Sequence, residues 1–149
     1  GSNLVATLPR ITNGTLVTIR AETKPNLAGI EHALGTGPML VQNGKVQPVE
    51  ARLSEQRHPR AAIGWNKTHL FLATADGRQA RISIGITLAD LAEFMAGLGC
   101  EEAINMDGGQ STTLFFDGKV INQPTRARHN IANGVVILRK RAANDVDED

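Results

Sequence analysis

The run Asn105-Met106-Asp107-Gly108-Gly109-Gln110-Ser111-Thr112-Thr113 brings a carboxylate to the end of an apolar stretch and follows it with two glycines and three hydroxyls. A carboxylate fixed at a strand end can act as a nucleophile or as a base for water. Gly108 and Gly109 let the backbone turn sharply and lie close to a ligand. Ser111 and Thr112 supply hydroxyls of the kind that hold sugar or phosphate oxygens. A glycine-rich β-turn with no ligand is the competing reading of the same residues.

Asp-Gly occurs twice more, and both copies read first as turns. Asp117-Gly118 separates Leu114-Phe115-Phe116 from Lys119-Val120-Ile121, the pattern of a two-residue hairpin loop. Asp76-Gly77 follows a strand-like run from His69 to Ala75. His58, placed before Pro59, reads as a loop residue, with a proton shuttle as its alternative. His32, His69 and His129 have no mutual spacing like a metal site, and Cys100 stands alone, so it reads as a small buried hydrophobe. Ser111 does not fit a nucleophile elbow, because Thr113 occupies the place of its closing glycine.

The elements that must position Asp107 follow from periodicity and turn chemistry. Ala103 to Met106 reads as a buried strand that delivers the carboxylate, and Thr112 to Phe116 as the strand after it. A helix is expected from about Thr87 to Leu98, with Thr87 as its N-cap and Gly99 as its stop. Its expected core stripe is Leu88, Leu91, Met95 and Leu98, joined by Phe94. Asn43-Gly44 marks a hairpin between Pro38-Val41 and Lys45-Val46, and Asn66-Lys67 a second one between Ala61-Trp65 and His69-Thr74. Further strands are expected over Thr15 to Arg20 and Ile131 to Leu138, and a short helix over Pro25 to Leu34. Many short strands with one good helix indicate an α+β fold built on a mixed, mainly antiparallel sheet.

Composition narrows the function. With 149 residues the chain is long enough to bury a core, and its apolar share of 41% and charged share of 21% are those of a folded globular chain. A formal net charge of +1 with four Phe, one Trp and no Tyr leaves little for a polyanion surface or for base stacking, so nucleic acid is not an expected partner. No stretch approaches the roughly 20 apolar residues of a membrane span.

With these segments in order, the chain resembles the phosphodiester glycosidase family, whose best-known member removes N-acetylglucosamine from a phosphodiester. The resemblance covers GTGPMLVQNGK at Gly35 to Lys45, HPRAAIGW at His58 to Trp65, LFLATADGR at Leu70 to Arg78, the helix from Gly85 to Gly99, and AINMDGGQSTTLFFDGKVINQP at Ala103 to Pro124. Two positions depart from the family pattern: Gln110 replaces the third glycine after the aspartate, and Ala61 replaces a threonine.

The resemblance implies a hydrolase that cleaves the C–O bond between a sugar and a phosphodiester. Asp107 would be the essential carboxylate, Asp76 a second one, and Arg60 the phosphate clamp; Gly108, Gly109, Ser111, Thr112, Arg78 and Arg128 would bind substrate. No cofactor is implied and no metal ligand is assigned, with a divalent cation held by Asp76, Asp107 and backbone carbonyls as an alternative. A carbohydrate or cell-wall binding module without turnover and a metal-assisted phosphodiesterase are the competing functions. An upstream family segment, Asn-Ala-Gly followed by aromatics, has no counterpart here. Residues 1–140 therefore read as the C-terminal portion of one domain, completed by an N-terminal half or by self-association, and 141–149 as a charged tail. Family members are mostly exported, which implies an extracytoplasmic location.

Overall fold

The computed structural model describes residues 12–18, 23–24, 26–50, 55–126, 130–131 and 134–138. The chain divides into two compact units, Gly1–Leu34 and Gly35–Asp149. In the first, the described residues form turns rather than regular elements: Thr15 donates back to the Thr12 carbonyl, and Ile30 to that of Leu27. Residues 15–18 are therefore not a strand, and 26–34 are not a helix. A lone extended segment has no ladder to join. Gly29 at φ +83° lies outside helical geometry and breaks the second expectation.

The second unit is α+β. It contains β1 (Met39–Gln42), β2 (Lys45–Val46), β3 (Arg60–Trp65), β4 (Leu70–Ala75), α1 (Leu88–Gly97), β5 (Glu102–Asn105), β6 (Phe115–Phe116) and β7 (Lys119–Val120). Five strands form one antiparallel sheet in the order β2-β1-β5-β3-β4, and β6-β7 make a separate hairpin. The central place of β5 is what matters for the site. Its chain leaves the sheet between β1 and β3, so whatever follows Asn105 is flanked by backbone on both sides.

Local chemistry explains the connections. Asn43 and Gly44 take φ of 51° and 71°, and Asp117 and Gly118 take 48° and 78°, the paired positive values of a type I′ turn. Between β3 and β4 the Asn66 carboxamide oxygen accepts from the amides of Thr68 and His69 at 3.0 and 2.9 Å, standing in for backbone in a four-residue loop. Thr87 caps α1 by accepting from the Asp90 amide at 3.0 Å.

The core lies between α1 and one face of the sheet. Leu88, Leu91, Ala92 and Met95 pack from the helix against Leu40, Val41, Ala62, Cys100 and Ala103. Strand alternation turns Ala62 and Gly64 toward α1; a Cβ at Gly64 would come within 2.7 Å of both Met95 Cε and Cys100 Sγ, so only glycine fits there. Cys100 is the buried hydrophobe expected, and burial pushes its thiol pKa up. The helix stripe differs from expectation at three positions. Ala92 is buried, whereas Phe94 is 51% and Leu98 40% exposed, because Phe94 falls beside the stripe and the chain leaves the helix at Leu98.

The C-terminal expectations change more. Only Phe115 and Phe116 of the expected 112–116 strand pair with another strand, and residues 131 and 134–138 form no strand. Among the described residues no ladder offers them a partner. The charged tail at 141–149 lies outside the described residues.

Candidate functional site

Three backbone bonds fix the position of Asp107. The amide of Asn105 donates to the Pro38 carbonyl at 3.0 Å, that of Met106 to Ala61 at 2.8 Å, and that of Gly109 to Pro59 at 2.8 Å. The carboxylate thus sits on a two-sided tether where β5 leaves the sheet, opposite the start of β3. The glycines after it are needed by the protein itself. A Cβ at Gly108 would meet the Pro59 carbonyl at 2.8 Å; Gly109, at φ +63°, lies under the Arg78 guanidinium, whose Nη1 would be 3.3 Å from a Cβ there. Gln110 takes no positive φ and lies within the short 3₁₀ turn Gly109–Ser111, so a side chain at this departure from the family pattern costs no backbone strain.

Arg60 opens β3 and reaches the same place. Its Nη2 donates to the Gln56 carbonyl at 3.1 Å, while its Nε is buried with no partner. Arg78 arrives from the end of β4 through the tightly packed Gly77, and it adopts φ +55°, a left-handed conformation uncommon for arginine. Its Nε and Nη2 lie 3.4 and 3.3 Å from His58 Nδ1, and His58 Nε2 lies 3.0 Å from Gln56 Oε1. The two contacts together assign the tautomer: Nδ1 accepts from Arg78 and Nε2–H donates to Gln56. Desolvation and the two guanidiniums hold the His58 imidazole below its usual pKa, and desolvation and Arg78 lower that of Arg60.

Arg60, Arg78, His58 and Asp107 line one open hollow of about 420 Å³, floored by Gly37 and Asn105. Among the described residues no carboxylate pairs with either arginine, and the only ion pair nearby joins Arg57 to Asp90 at 3.2 Å. Asn105 is 9% exposed; its Nδ2 donates to the Met106 carbonyl at 2.9 Å, and its Oδ1 is buried without a partner. Two guanidiniums without a carboxylate partner on one cavity suit a polar, anionic ligand.

A second hollow, of about 160 Å³, opens on the sheet face away from α1, lined by Ala61, Ile63, Leu72, Thr74, Ser111 and Thr113 among others. Asp107 and Met106 line both hollows and so form the wall between them. Ala61 contributes a methyl to the apolar side.

The structure thus brings together Asp107, Arg60, Arg78, Gly108 and Gly109, and places Ser111 in the adjoining hollow. Asp76 lines neither hollow. Its carboxylate accepts from Asn122 Nδ2 at 2.9 Å and from the Gln123 amide at 3.0 and 2.9 Å, anchoring the loop after β7. Asp76 and Asp107 therefore line no common hollow among the described residues. Thr112 is 1% exposed, with its hydroxyl shut away from solvent. Arg128 lies outside the described residues. Among those residues no group of three or more His, Cys, Asp or Glu gathers at metal-binding spacing. Asp76→Ala is expected to cost about 1.5–3 kcal/mol, the range for hydrogen bonds to a charged group, as read by urea denaturation. An unchanged midpoint would refute the anchoring role.

Gln56 and Asn105 carry no residue-type signal of their own. Asn105 is legible only as the last strand residue before the aspartate, and Gln56 only through the side chains that fold onto it.

A family model described as phosphodiester glycosidase matches residues 3–138. The chain belongs to the phosphodiester glycosidase family. One relative of this chain is an SPbeta prophage-derived protein of Bacillus subtilis, YomE, 34% identical over 113 residues; the match covers 72% of this chain and 16% of that protein. A solved hypothetical protein from Synechocystis superposes with a TM-score of 0.52 at 26% identity, over 61% of this chain and 18% of the other. The catalytic domain of zebrafish N-acetylglucosamine-1-phosphodiester alpha-N-acetylglucosaminidase, auto-inhibited by its pro-peptide, shares the fold with a TM-score of 0.50 at 24% identity, over 58% of this chain and 33% of that one. The chain spans a third or less of the length of each. No helix among the described residues is long and apolar enough to cross a membrane.

Proposed function

We propose that the larger hollow receives the phosphate of a sugar 1-phosphodiester and that Asp107 drives hydrolysis of the C–O bond at the anomeric carbon. The observation that carries this reading is the meeting of two carboxylate-free guanidiniums with a tethered, exposed aspartate in one cavity. A departing phosphate monoester is a weakly basic anion and leaves with little help from a general acid. The demands that remain are a cationic cradle for the phosphate, and a carboxylate to stabilise an oxocarbenium-like centre and supply or activate the nucleophile. One aspartate and two arginines meet them, so Asp76 is free to serve the loop it anchors. Arg60 and Arg78 present planar forks to the phosphate oxygens.

Hydrolysis in oxygen-18 water tests this directly. Label is expected on the anomeric hydroxyl of the released sugar; label in the phosphate would mean P–O cleavage and a different reaction. N-acetylglucosamine as the sugar and an extracytoplasmic location rest on the family alone and belong to the same proposal.

A complementary segment or a second copy completes the sheet in this reading. Edge strand β4 leaves Leu70 and Leu72 exposed, and Val136 and Leu138 are largely open. Sedimentation of this polypeptide alone should reveal association or poor folding. A compact, fully active monomer would remove the need for a partner.

A further inference from the structure

We propose that His58 parks the Arg78 guanidinium while the hollow is empty and takes a proton onto Nδ1 as Arg78 turns to a bound phosphodiester, which makes anion binding and proton uptake one coupled event. The inference rests on the hollow being the phosphate site. Its geometric basis is the edge of Arg78 that is in use. The Nε and Nη2 donors, an edge that can fork onto two phosphate oxygens, both address the single lone pair of His58 Nδ1 at 3.4 and 3.3 Å. One neutral nitrogen satisfies that edge poorly, and an anion offers it two charged acceptors. The imidazole is held in place from its other side, where Nε2–H meets Gln56 Oε1 at 3.0 Å. The Gln56 carbonyl in turn holds Arg60, so both arginines are tied to the Gln56–His58 segment.

The charges around His58 decide the sign. Arg78 faces it from the turn after β4 and Arg60 from the start of β3, while Asp107 lines the same hollow after β5. Arg57, its sequence neighbour, is paired with Asp90 of α1. Desolvation and the two facing guanidiniums keep the ring neutral at neutral pH, which is what lets it accept from Arg78. A bound anion cancels much of that positive field, and the departure of Arg78 leaves the Nδ1 lone pair open, so both changes favour imidazolium. By linkage, anion affinity then rises as pH falls through the His58 titration. His58 acts here as a positioning residue, through Arg78.

The test is an NMR titration of the His58 ring with and without dimethyl phosphate, whose charge is constant over the range used. In the free protein His58 should titrate below its ordinary value of about 6.5, and saturation should raise that pKa by about one unit, matched by an affinity about tenfold tighter at the acid end. His58→Asn keeps a carbonyl acceptor near the Nδ1 position but cannot titrate. It should bind within about threefold of wild type at the alkaline end, with no pH slope. If dimethyl phosphate binds, depends on Arg60, and leaves the His58 titration unmoved, this inference alone is overturned. If nothing binds, or binding ignores Arg60→Ala, the phosphate reading falls and takes this inference with it.

Discussion

Replacing Asp107 with asparagine is expected to lower kcat for a glycosyl phosphodiester by about a thousandfold or more, within the range by which positioned acid–base and nucleophilic groups accelerate reactions. The substitution keeps shape and removes charge. Among the described residues no hydrogen bond or ion pair engages the carboxylate, which is exposed on the wall between the two hollows. Its loss should therefore leave stability within about 0.5 kcal/mol, as for surface positions generally. The tether that positions residue 107 is made of backbone amides of its neighbours, and asparagine does not disturb them. The discriminating measurement pairs steady-state kinetics with a denaturation curve on the same preparation. Wild-type turnover from Asp107→Asn would end the catalytic assignment, whatever the phosphate site does.

Arg60→Ala should act on binding more than on the chemical step, raising KM about 10- to 100-fold. That range converts the 1.5–3 kcal/mol typical of a hydrogen bond to a charged group. Arg60→Lys should recover only part of the loss, because an ammonium is a point charge without a fork. The stability readout runs the opposite way to the usual buried-residue substitution. Arg60 faces the like charge of Arg78 and keeps its Nε buried and unpartnered within the protein, so its removal relieves both costs. The denaturation midpoint of Arg60→Ala should accordingly stay level or rise. An unchanged KM would show that the guanidinium does not touch the substrate; a large drop in stability would show that it serves the fold instead.

Much of the scaffold was legible one segment at a time, because local chemistry decides it. Asn43-Gly44 and Asp117-Gly118 specify type I′ turns through their tolerance of positive φ, and the observed angles follow. Thr87 caps α1 because its hydroxyl reaches an amide three residues on, a contact that needs nothing distant. Expectations failed where an element depends on a partner elsewhere. Residues 15–18, 26–34 and 134–138 carry strand- or helix-like composition, but among the described residues no strand pairs with them.

The three Asp-Gly pairs mark the boundary between the two kinds of information. By itself the amino-acid order determined the α+β class, the antiparallel hairpins and the helix at Leu88–Gly97, which short-range sterics and periodicity set, while its motifs carried the family resemblance. It could not settle the role of Asp76, since the same dipeptide anchors the loop after β7 there, walls a hollow at Asp107 and turns a hairpin at Asp117. Those roles depend on what the sheet places opposite each carboxylate: Asn122 and Gln123 for Asp76, the open cavity for Asp107, and solvent for the hairpin tip. The pairing of Arg78 with His58, twenty positions earlier, is likewise a tertiary fact. It arises because His58 bridges to Ile86 while Gly77 packs against Gly85 and Pro59, bringing two turns together that no local pattern connects.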